Sequence, residues 1–440
     1  MSLAANLSEL RVPKTVLEII RDLEKAGFQA WAVGGAVRDA LLGRADLDWD
    51  LATDATPDQV RTVFGRKRTI PVGVDFGTVG VLDEAGVLHE VTTFRRDVRT
   101  DGRHAEVEFG ASLEEDLARR DFTVNAIAYS PSRAELYDPF HGQGDLAARV
   151  IRAVGDPSAR MREDRLRALR ALRFSARLGF ELEGKTWDAI RDSAPHLTRL
   201  SAERVKQEIE KTMDQVSAPS RALTLWRDSG ALGVLVPELA GVSEEALRAL
   251  DCAAQPGLHK RPGRRLTRLA VLFSDIPEAD ALAAATRLRF SKHEAQWVAT
   301  IAGQWSRLGP AISAAVKDGS TTATDVRRWI AAIGRLQLGA FFRVASARWA
   351  AGRAMGASGA PTAQAVHSMY RRSVRAALTE PVDLRDLAID GDDLRQAGIT
   401  PGPELGKILS LLLELVLDDP GKNTRDQLLG EARRLHSRTK

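Results

Sequence analysis

Cysteine is nearly absent from the sequence: Cys252 is the single one among 440 residues. This excludes an intramolecular disulfide and a cysteine-based zinc site, and it suits the reducing conditions of the cytoplasm. Long apolar runs are also lacking, since no window approaches the roughly 20 apolar residues of a membrane-spanning helix. The N-terminal segment does not contain the apolar stretch of a signal peptide. We therefore expect a cytoplasmic protein with no membrane partner.

A large excess of charge of one sign is missing as well. The formal net charge is +4, and 44% hydrophobic with 28% charged residues is ordinary for a globular protein of roughly two to four domains. Basic residues are nevertheless concentrated in two segments, 161–177 with six arginines and 259–268 with five arginines and lysines. Such local density is typical of a surface that binds a phosphate-rich partner, although a solvated helix face gives the same pattern.

Secondary-structure patterns change along the chain. Up to about residue 150, amphipathic helical segments such as KTVLEIIRDLEKAG alternate with strand patterns such as FQAWAVGG, LDWDLAT and VLHEVTTF. After Arg160 nearly all segments have helical spacing, interrupted by Gly and Pro, and no repeat of roughly 34 or 40 residues is present. The sequence therefore predicts an α+β head with a small mixed sheet, followed by an all-α region.

Alternating aspartates lie on the predicted strand LDWDLAT. Asp48 and Asp50 face the same side of a strand about 6.5–7 Å apart, and Asp46 continues the row, so the spacing does not decide which two act together. Carboxylates this close repel one another unless a cation lies between them. Mg²⁺ prefers such oxygen ligands together with substrate phosphates, and two ions can activate an attacking hydroxyl and stabilise a departing pyrophosphate. Glu90, on a predicted neighbouring strand, is a candidate third carboxylate.

A Gly-Gly turn precedes these aspartates in the segment WAVGGAVRDALLG. Gly34 and Gly35 allow a phosphate to approach the backbone at the start of the following helix, where free N–H groups are exposed. Arg38 adds a charged guanidinium at the same place. Alone, a Gly-Gly turn is more often a plain strand–helix connection, and the phosphate interpretation depends on the aspartates that follow thirteen residues later.

The segment RMREDRLRALRALRF carries a second set of candidates. On one helix, Asp164 and Arg167 would be i, i+3 neighbours, with Arg170 one step further. An exposed Asp–Arg pair contributes only about a few tenths of a kcal/mol. The pair could also recognise a base, because cytosine and adenine each present an exocyclic amine for Asp164 and a ring-nitrogen acceptor for Arg167. Uracil and guanine present a carbonyl and an N–H there, and each unpaired group would cost about 1–3 kcal/mol.

Eight motifs occur in a defined order along the chain. They are GGAVRDALLG, LDWDLATD, FGTVGV, EVTTFRRD, DGRHAEVEF, EEDLARRDFTVNAIAY, DPFHGQGDL and IRAVGDPSARMREDRLRALRALRFSARLGF. Together they closely resemble the class II CCA-adding enzymes, the bacterial tRNA nucleotidyltransferase and poly(A) polymerase family. The resemblance is strong over residues 30–180, weakens through the middle of the chain and returns in LRDLAIDGDDLRQAGITPGPELGKIL. It implies a nucleotidyltransferase head (1–150), a base-recognising neck (151–215), and a body (216–354) and tail (355–440) that bind tRNA.

The resemblance also implies roles for individual residues. Asp48 and Asp50 would be the main Mg²⁺ ligands, in place of Asp46, and would act with Glu90 as the catalytic carboxylates. The implied nucleotide-binding residues are Gly35, Arg38, Arg120, Asp121, Asp164, Arg167, Arg170 and Arg173. The positions of Arg120 near the nucleotide and Asp121 near its ribose follow from the resemblance alone.

The activity implied by the resemblance is transfer of CMP and AMP from CTP and ATP to the 3′ end of tRNA, with Mg²⁺ as cofactor and pyrophosphate as product. The expected partners are the tRNA acceptor arm and the two nucleotides, and no protein partner is evident. An enzyme adding only A, or a poly(A) polymerase, would have almost the same head. A non-catalytic RNA-binding protein is a more distant alternative. The loss of Asp48 or Asp50 would have indicated it, and both residues are present.

Two further expectations concern single segments. Some relatives carry a His-Asp metal-dependent phosphohydrolase module behind the helical part, but RLAVLFSDIPEAD has no His-Asp pair, so we expect no such activity. The segment VRTDGRHAEVE, residues 98–108, is polar and contains a glycine. We expect a loop there that takes part in the switch from C to A.

Overall fold

The computed structural model describes residues 10–44, 48–73, 76–100, 105–253 and 264–439. They form two compact units, one up to Val216 together with 221–237 and the other of 217–220 together with the chain from Glu238 onward. Within these ranges no helix combines the length and the apolar character needed to cross a membrane. The division into head, neck, body and tail stays a prediction.

The described strands all belong to the first unit. They are β1 (Ala30–Val33), β2 (Asp50–Thr53), β3 (Thr69–Gly73), β4 (Thr78–Leu82), β5 (Leu88–Thr93), β6 (Arg95–Thr100), β7 (Ala105–Phe109), β8 (Ala128–Ser130), β9 (Glu135–Tyr137), β10 (Val150–Ile151) and β11 (Glu181–Leu182). Seven of them form one sheet in the order β3-β4-β5-β2-β1-β8-β9. Its neighbours are antiparallel except β2 and β5, which are parallel, so the sheet is mixed as predicted. β6 and β7 form a separate hairpin.

Helices flank the sheet and make up the second unit. The helices are α1 (Lys14–Lys25), α2 (Gly35–Leu41), α3 (Pro57–Phe64), α4 (Leu113–Ala118), α5 (Gly142–Ala148), α6 (Pro157–Glu163), α7 (Leu166–Leu178), α8 (Gly184–Ser193), α9 (Ala202–Gln215), α10 (Pro219–Asp228), α11 (Ala231–Leu235), α12 (Glu244–Cys252), α13 (Arg264–Leu272), α14 (Glu278–Arg287), α15 (Lys292–Asp318), α16 (Ala323–Ile333), α17 (Leu338–Ala354), α18 (Ala363–Thr379), α19 (Gly391–Gln396), α20 (Pro403–Asp418) and α21 (Arg425–Thr439). In the described part of the second unit every regular element is helical, as the sequence predicts for the chain after Arg160.

Local sequence accounts for the helix that follows β2. Thr56 accepts a hydrogen bond from Gln59 N, and the Gln59 side chain accepts one from Thr56 N at 2.8 Å. This capping box satisfies backbone donors that the first turn of a helix leaves open. Pro57 stands at the first helical position, where its fixed φ is favourable. These two residue types therefore fix where α3 begins.

Alternation along the strands divides the sheet into two faces. Leu51, Val79, Val81 and Val91 are fully buried on one face, where they form apolar core. Because side chains alternate along a strand, the residues between them project from the opposite face. The active-site candidates of β2 and β5 therefore belong to that opposite face.

One predicted helix is broken in the structure. The sequence RMREDRLRALRALRF is not a single helix, because α6 ends at Glu163 and α7 begins at Leu166. Asp164 has an extended backbone (φ −144°, ψ 105°), and its Oδ1 accepts a hydrogen bond from Leu166 N at 3.0 Å. Asp164 thus caps the second helix instead of continuing the first. Aspartate side chains often interrupt a helix in this way, because they accept hydrogen bonds from nearby backbone N–H groups.

Other predicted segments also need correction or lie outside the described ranges. The predicted loop at 98–108 contains the end of β6 and most of β7, while 101–104 are outside the described residues. Asp46 is outside them too, as are Lys260 and Arg261 of the second basic segment. In the same segment Arg268 is fully buried, so this part of it is not an open basic surface.

Candidate active site

The register of two parallel strands places two predicted catalytic carboxylates side by side. Leu51 of β2 pairs with Val91 of β5, and both are fully buried. Asp50 and Glu90 each precede one of these residues, so both project from the opposite face. Both line the same cavity. The structure therefore brings Asp50 and Glu90 together from positions forty residues apart in the sequence.

The charge state of Asp50 reflects this crowding. Surrounding protein atoms, and after them the charges of Glu90 and Asp48, raise the pKa of Asp50 to about 6 from its ordinary value of 3.8, while Arg120 opposes the shift. Asp50 still reaches solvent through the cavity. The three carboxylates thus repel one another, and a cation bound among them would relieve the repulsion.

The donor set of these carboxylates fits Mg²⁺. Carboxylate oxygens are its preferred protein ligands, and Mg²⁺ usually takes one or two of them together with substrate phosphates. In the described part of the chain, no group of three His, Cys, Asp or Glu side chains converges closely enough to hold an ion by itself.

The Gly-Gly turn between β1 and α2 brings an arginine close to the backbone. Gly34 has φ +74°, and a Cβ atom at this position would lie 2.7 Å from Nη1 of Arg120. A side chain at Gly34 would therefore be strained by the backbone conformation and would displace the Arg120 guanidinium. Gly34, Gly35 and Arg120 all line the cavity. The turn leaves room for the Arg120 guanidinium, which the sequence pattern alone could not indicate.

Arg38 lines the cavity but is held by other residues. Its side chain is 2% exposed, and its Nε and Nη2 donate to the two carboxylate oxygens of Asp39, each at 2.9 Å. Its Nη1 donates to Oδ1 of Asn125 at 2.5 Å. Two of its five N–H groups are left for a ligand. Arg38 is therefore a fixed positive group in the wall of the cavity, oriented by two residues that the sequence analysis did not single out.

The predicted base-reading pair is not a pair in the structure. Oδ2 of Asp164 accepts a hydrogen bond from Nη2 of Arg204 at 2.7 Å. Arg167 instead donates to Glu163 at 2.7 Å and to the carbonyl oxygens of Arg160 and Arg119 at 3.0 and 3.2 Å. Each member is thus fixed by its own partners.

Asp164 and Arg167 nevertheless line one cavity. The three hydrogen bonds of Arg167 to Glu163, Arg160 and Arg119 leave its Nε–H and one Nη–H for a base. A ligand base could therefore contact a preset acceptor and a preset donor at the same time. The geometry is compatible with the predicted recognition of cytosine and adenine.

Asp121 and Arg170 form a bidentate ion pair at the cavity wall. Nε and Nη2 of Arg170 lie 2.8 and 2.7 Å from Oδ2 of Asp121, while Asn125 and the Phe122 N–H donate to Oδ1. Burial would raise the pKa of Asp121, but the Arg170 charge and these hydrogen bonds hold it below its ordinary value. Asp121 is therefore an ionised carboxylate held by Arg170, Asn125 and the Phe122 N–H.

Arg173 is the one predicted nucleotide-binding residue that does not line the cavity. Its side chain is 3% exposed, and its Nε donates to Oε2 of Glu208 at 2.7 Å. Glu208 is itself 1% exposed. The geometry gives Arg173 a structural contact between α7 and α9, and its predicted contact with nucleotide has no support from this placement.

The cavity as a whole has about 530 Å³, a size that suits a nucleotide. Its charged lining residues are Arg38, Arg95, Arg119, Arg120, Arg167, Arg170, Arg177, Asp50, Glu90, Asp121 and Asp164. Seven arginines against four carboxylates leave a formal excess of three positive charges. The excess favours a polyanion such as a triphosphate.

Comparison with known proteins matches this architecture. Residues 30–152 match the family described as Poly A polymerase head domain, and 179–242 match the one described as Probable RNA and SrmB- binding site of polymerase A. The solved structure of Bacillus stearothermophilus CCA-adding enzyme in complex with CTP is 31% identical, covers 97% of this chain and 98% of its own, and has a TM-score of 0.71. The chain belongs to the CCA-adding enzyme family. Thermotoga maritima CCA-adding enzyme complexed with tRNA, 20% identical with a TM-score of 0.65 and 99% coverage of both chains, shares the fold.

Curated CCA-adding enzymes align with the chain over shorter lengths. One from Geobacillus thermodenitrificans is 47% identical over 235 residues, which are 53% of this chain and 57% of the relative. One from Leuconostoc mesenteroides is 48% identical over 197 residues, 44% of this chain and 48% of the relative. The matches thus span about half the length of these relatives. The predicted fold class, an α+β nucleotidyltransferase head followed by a helical region, is confirmed.

Proposed function

We propose that the protein adds C, C and A to the 3′ end of tRNA, using CTP and ATP without a nucleic-acid template. The observation that carries the proposal is the placement of Asp50 and Glu90 side by side in a cavity with an excess of arginines. Asp164 and Arg167 line the same cavity, where they supply one acceptor and one donor for a base. The CTP-bound relative with 31% identity supports the same conclusion.

The reaction is an in-line displacement at the α-phosphorus of the nucleotide. The 3′-hydroxyl of the RNA loses its proton to solvent and its oxygen forms the new P–O bond, while the bond from the α-phosphorus to the oxygen bridging toward the β-phosphorus breaks. Pyrophosphate leaves with that electron pair. Asp48 and Asp50, with Glu90, would hold Mg²⁺, which when bound stabilises charge on the attacking and departing oxygens.

The arginines of the cavity orient the triphosphate and balance its charge. Arg120 lies against the Gly34 turn and Arg38 is locked on Asp39, so both are in place before the nucleotide binds. Preorganised charges of this kind stabilise a transition state without reorganisation during the reaction. Gly35, Asp121 and Arg170 also line the cavity and are assigned to nucleotide binding on the same ground.

Base choice is assigned to Asp164 and Arg167. Asp164 accepts from the exocyclic amine of cytosine or adenine, and Arg167 donates to the ring nitrogen beside it. Uracil and guanine would leave these groups unpaired, at about 1–3 kcal/mol each. The protein thereby replaces a nucleic-acid template.

Incorporation on three tRNA transcripts tests the proposal. The transcripts end before CCA, after the first C and after the second C, and each is given CTP or ATP separately. The proposal predicts C addition to the first two and a single A on the third. Addition of A alone, or of a run of A, would assign the protein to the A-adding or poly(A) polymerase alternatives, and no addition at all would favour a non-catalytic RNA-binding protein.

A further inference from the structure

An exposed apolar surface lies on the cavity side of the sheet edge. Ile70 and Val72 of β3 are 42% and 45% exposed, and Leu88 of β5 is 37% exposed. We call these three residues, with the backbone of Gly80 between them, the apolar shelf. Exposed apolar side chains that cluster in this way mark an interaction site more often than chance packing.

Strand register places the apolar shelf directly beside a catalytic carboxylate. Ile70 pairs with Gly80 across β3 and β4, and Gly80 pairs with Glu90 across β4 and β5, so the three lie in one cross-strand row. Leu88 precedes Glu90 by two residues and therefore projects from the same face. The apolar shelf is continuous with the site where the reaction is proposed to occur.

The missing side chain of Gly80 lets neighbouring residues of the apolar shelf pack over it. A Cβ atom at Gly80 would lie 2.6 Å from Cδ1 of Leu88 and 2.9 Å from Cγ2 of Val72. Because Gly80 has no side chain, those of Leu88 and Val72 extend over its backbone, and together they form one continuous apolar surface. Such a surface can receive the flat face of a ring.

Two exposed aromatic residues lie near Gly77, just before β4 begins at Thr78. Phe76 is 49% and Phe109 is 38% exposed, and Cε1 of Phe109 lies 2.6 Å from the position of a Cβ at Gly77. The Phe76 carbonyl oxygen accepts a hydrogen bond from Arg95, which lines the cavity. Arg66 and Lys67, just before β3, are exposed. Positive charge therefore stands near both ends of an apolar surface.

We propose that the apolar shelf stacks the last bases of the RNA strand that is being extended, a proposal that rests on the proposed function. The RNA 3′-oxygen must lie beside Glu90 and Asp50, and the base of the incoming nucleotide is assigned to Asp164 and Arg167. The sheet face next to Glu90 is then where the preceding bases lie. The arginines and lysine around the surface suit the phosphates of that strand.

The chemistry of the apolar shelf suits a strand whose end changes at each step. Ile70, Val72 and Leu88 have no hydrogen-bonding side-chain groups, so they cannot distinguish base edges. Stacking on such a surface tolerates any base, since every base has an apolar face. The RNA strand being extended ends before CCA, after the first C or after the second C, so its last base differs between steps and the surface must accept each of them.

A double variant, Val72→Thr with Leu88→Thr, tests the proposal. Both residues are exposed, and threonine is favourable in strands. We expect KM for a transcript ending after the second C to rise about tenfold, which is equivalent to about 1.4 kcal/mol. KM for ATP and kcat should change less than twofold. The fluorescence of a 2-aminopurine placed before the two terminal cytosines should change when the wild-type protein binds, and should change less with the variant.

Val87→Thr is the matched control. Val87 is 53% exposed and directly precedes Leu88, so alternation places it on the other face, and its KM for RNA should be unchanged. An unchanged KM in the double variant, with an active wild-type protein, would overturn the proposal. A wild-type dimer in sedimentation that the double variant loses, with KM unchanged, would reassign the surface to self-association and overturn it too. Absence of incorporation by the wild-type protein would instead refute the proposed function, and the stacking site with it.

Discussion

Replacing Asp50 by asparagine should stabilise the protein and inactivate it. In the absence of metal, ionisation of Asp50 is opposed by burial and by the charges of Glu90 and Asp48. The difference between the ordinary pKa of 3.8 and about 6 corresponds to about 3 kcal/mol, which screening in a solvent-open cavity reduces to about 1 kcal/mol. For a unit of this size, Asp50→Asn should then raise Tm by about 2 °C at pH 7.5 without Mg²⁺.

The size of this effect depends on pH. Below about pH 4 the carboxyl group is protonated in both folded and unfolded chains, and the two proteins should have the same Tm. As the pH rises toward 6, the unfolded chain ionises freely while folded Asp50 resists ionisation, so the wild-type protein loses stability relative to the variant. Above about pH 6 the difference should be constant. Differential scanning calorimetry in metal-free buffer from pH 4 to 8 measures it.

The same variant should lose nucleotide transfer by about a thousandfold or more, because one carboxylate of the proposed metal site is gone. Binding of tRNA should be nearly intact, since the change is a single side chain in the nucleotide cavity. Glu84→Gln is the matched control, because Glu84 is an exposed acid in the β4–β5 turn of the same sheet, and neither Tm nor activity should change. A lower Tm for Asp50→Asn, or activity within tenfold of wild type, would refute the reasoning.

Three other predictions follow from the site. Asp164→Ala should raise misincorporation of UTP and GTP in single-turnover assays before it abolishes chemistry, and unchanged rejection would contradict the recognition proposed here. Arg204→Met should raise the same misincorporation by a smaller factor, about fivefold, because Arg204 donates to Oδ2 of Asp164 at 2.7 Å. Arg204→Lys should partly restore base selectivity. A selectivity equal to that of the wild-type protein in Arg204→Met would show that this contact is only structural. Gly34→Ala should lower stability by about 1–2 kcal/mol and impair nucleotide binding, because its Cβ would meet Arg120 at 2.7 Å; wild-type Tm and affinity would contradict this.

Much of the site could be predicted because its residues stand in local patterns. The placement of Asp50 on one strand and Glu90 on another follows from strand patterns alone, but Asp48, predicted on the same strand as Asp50, lies before β2, which begins at Asp50. The order of strands that makes β2 and β5 neighbours is not a local property, so sequence spacing could not show that Asp50 and Glu90 lie side by side. The family resemblance, and not periodicity, supplied Arg120 and Asp121.

The missed features depend on long-range contacts. Asp164 was expected inside a helix, but its side chain caps α7 and binds Arg204, forty residues later in the sequence. Arg173 follows the same arginine spacing as Arg170, yet it is buried against Glu208 of another helix. Asp39 and Asn125 carry no signal except their places inside the quoted motifs. In each case, contacts between residues far apart in the sequence determine where the side chain lies and what it binds.

The central claim is that Asp48 and Asp50 hold a divalent cation against the triphosphate of the bound nucleotide. A crystal grown with CTP and Mn²⁺, measured at the manganese absorption edge, tests this most directly. The account predicts an anomalous peak within about 2.0–2.3 Å of an oxygen from each aspartate and from the triphosphate. A well-ordered triphosphate in this cavity with no peak beside these two residues, or with its metal bound elsewhere, would contradict it.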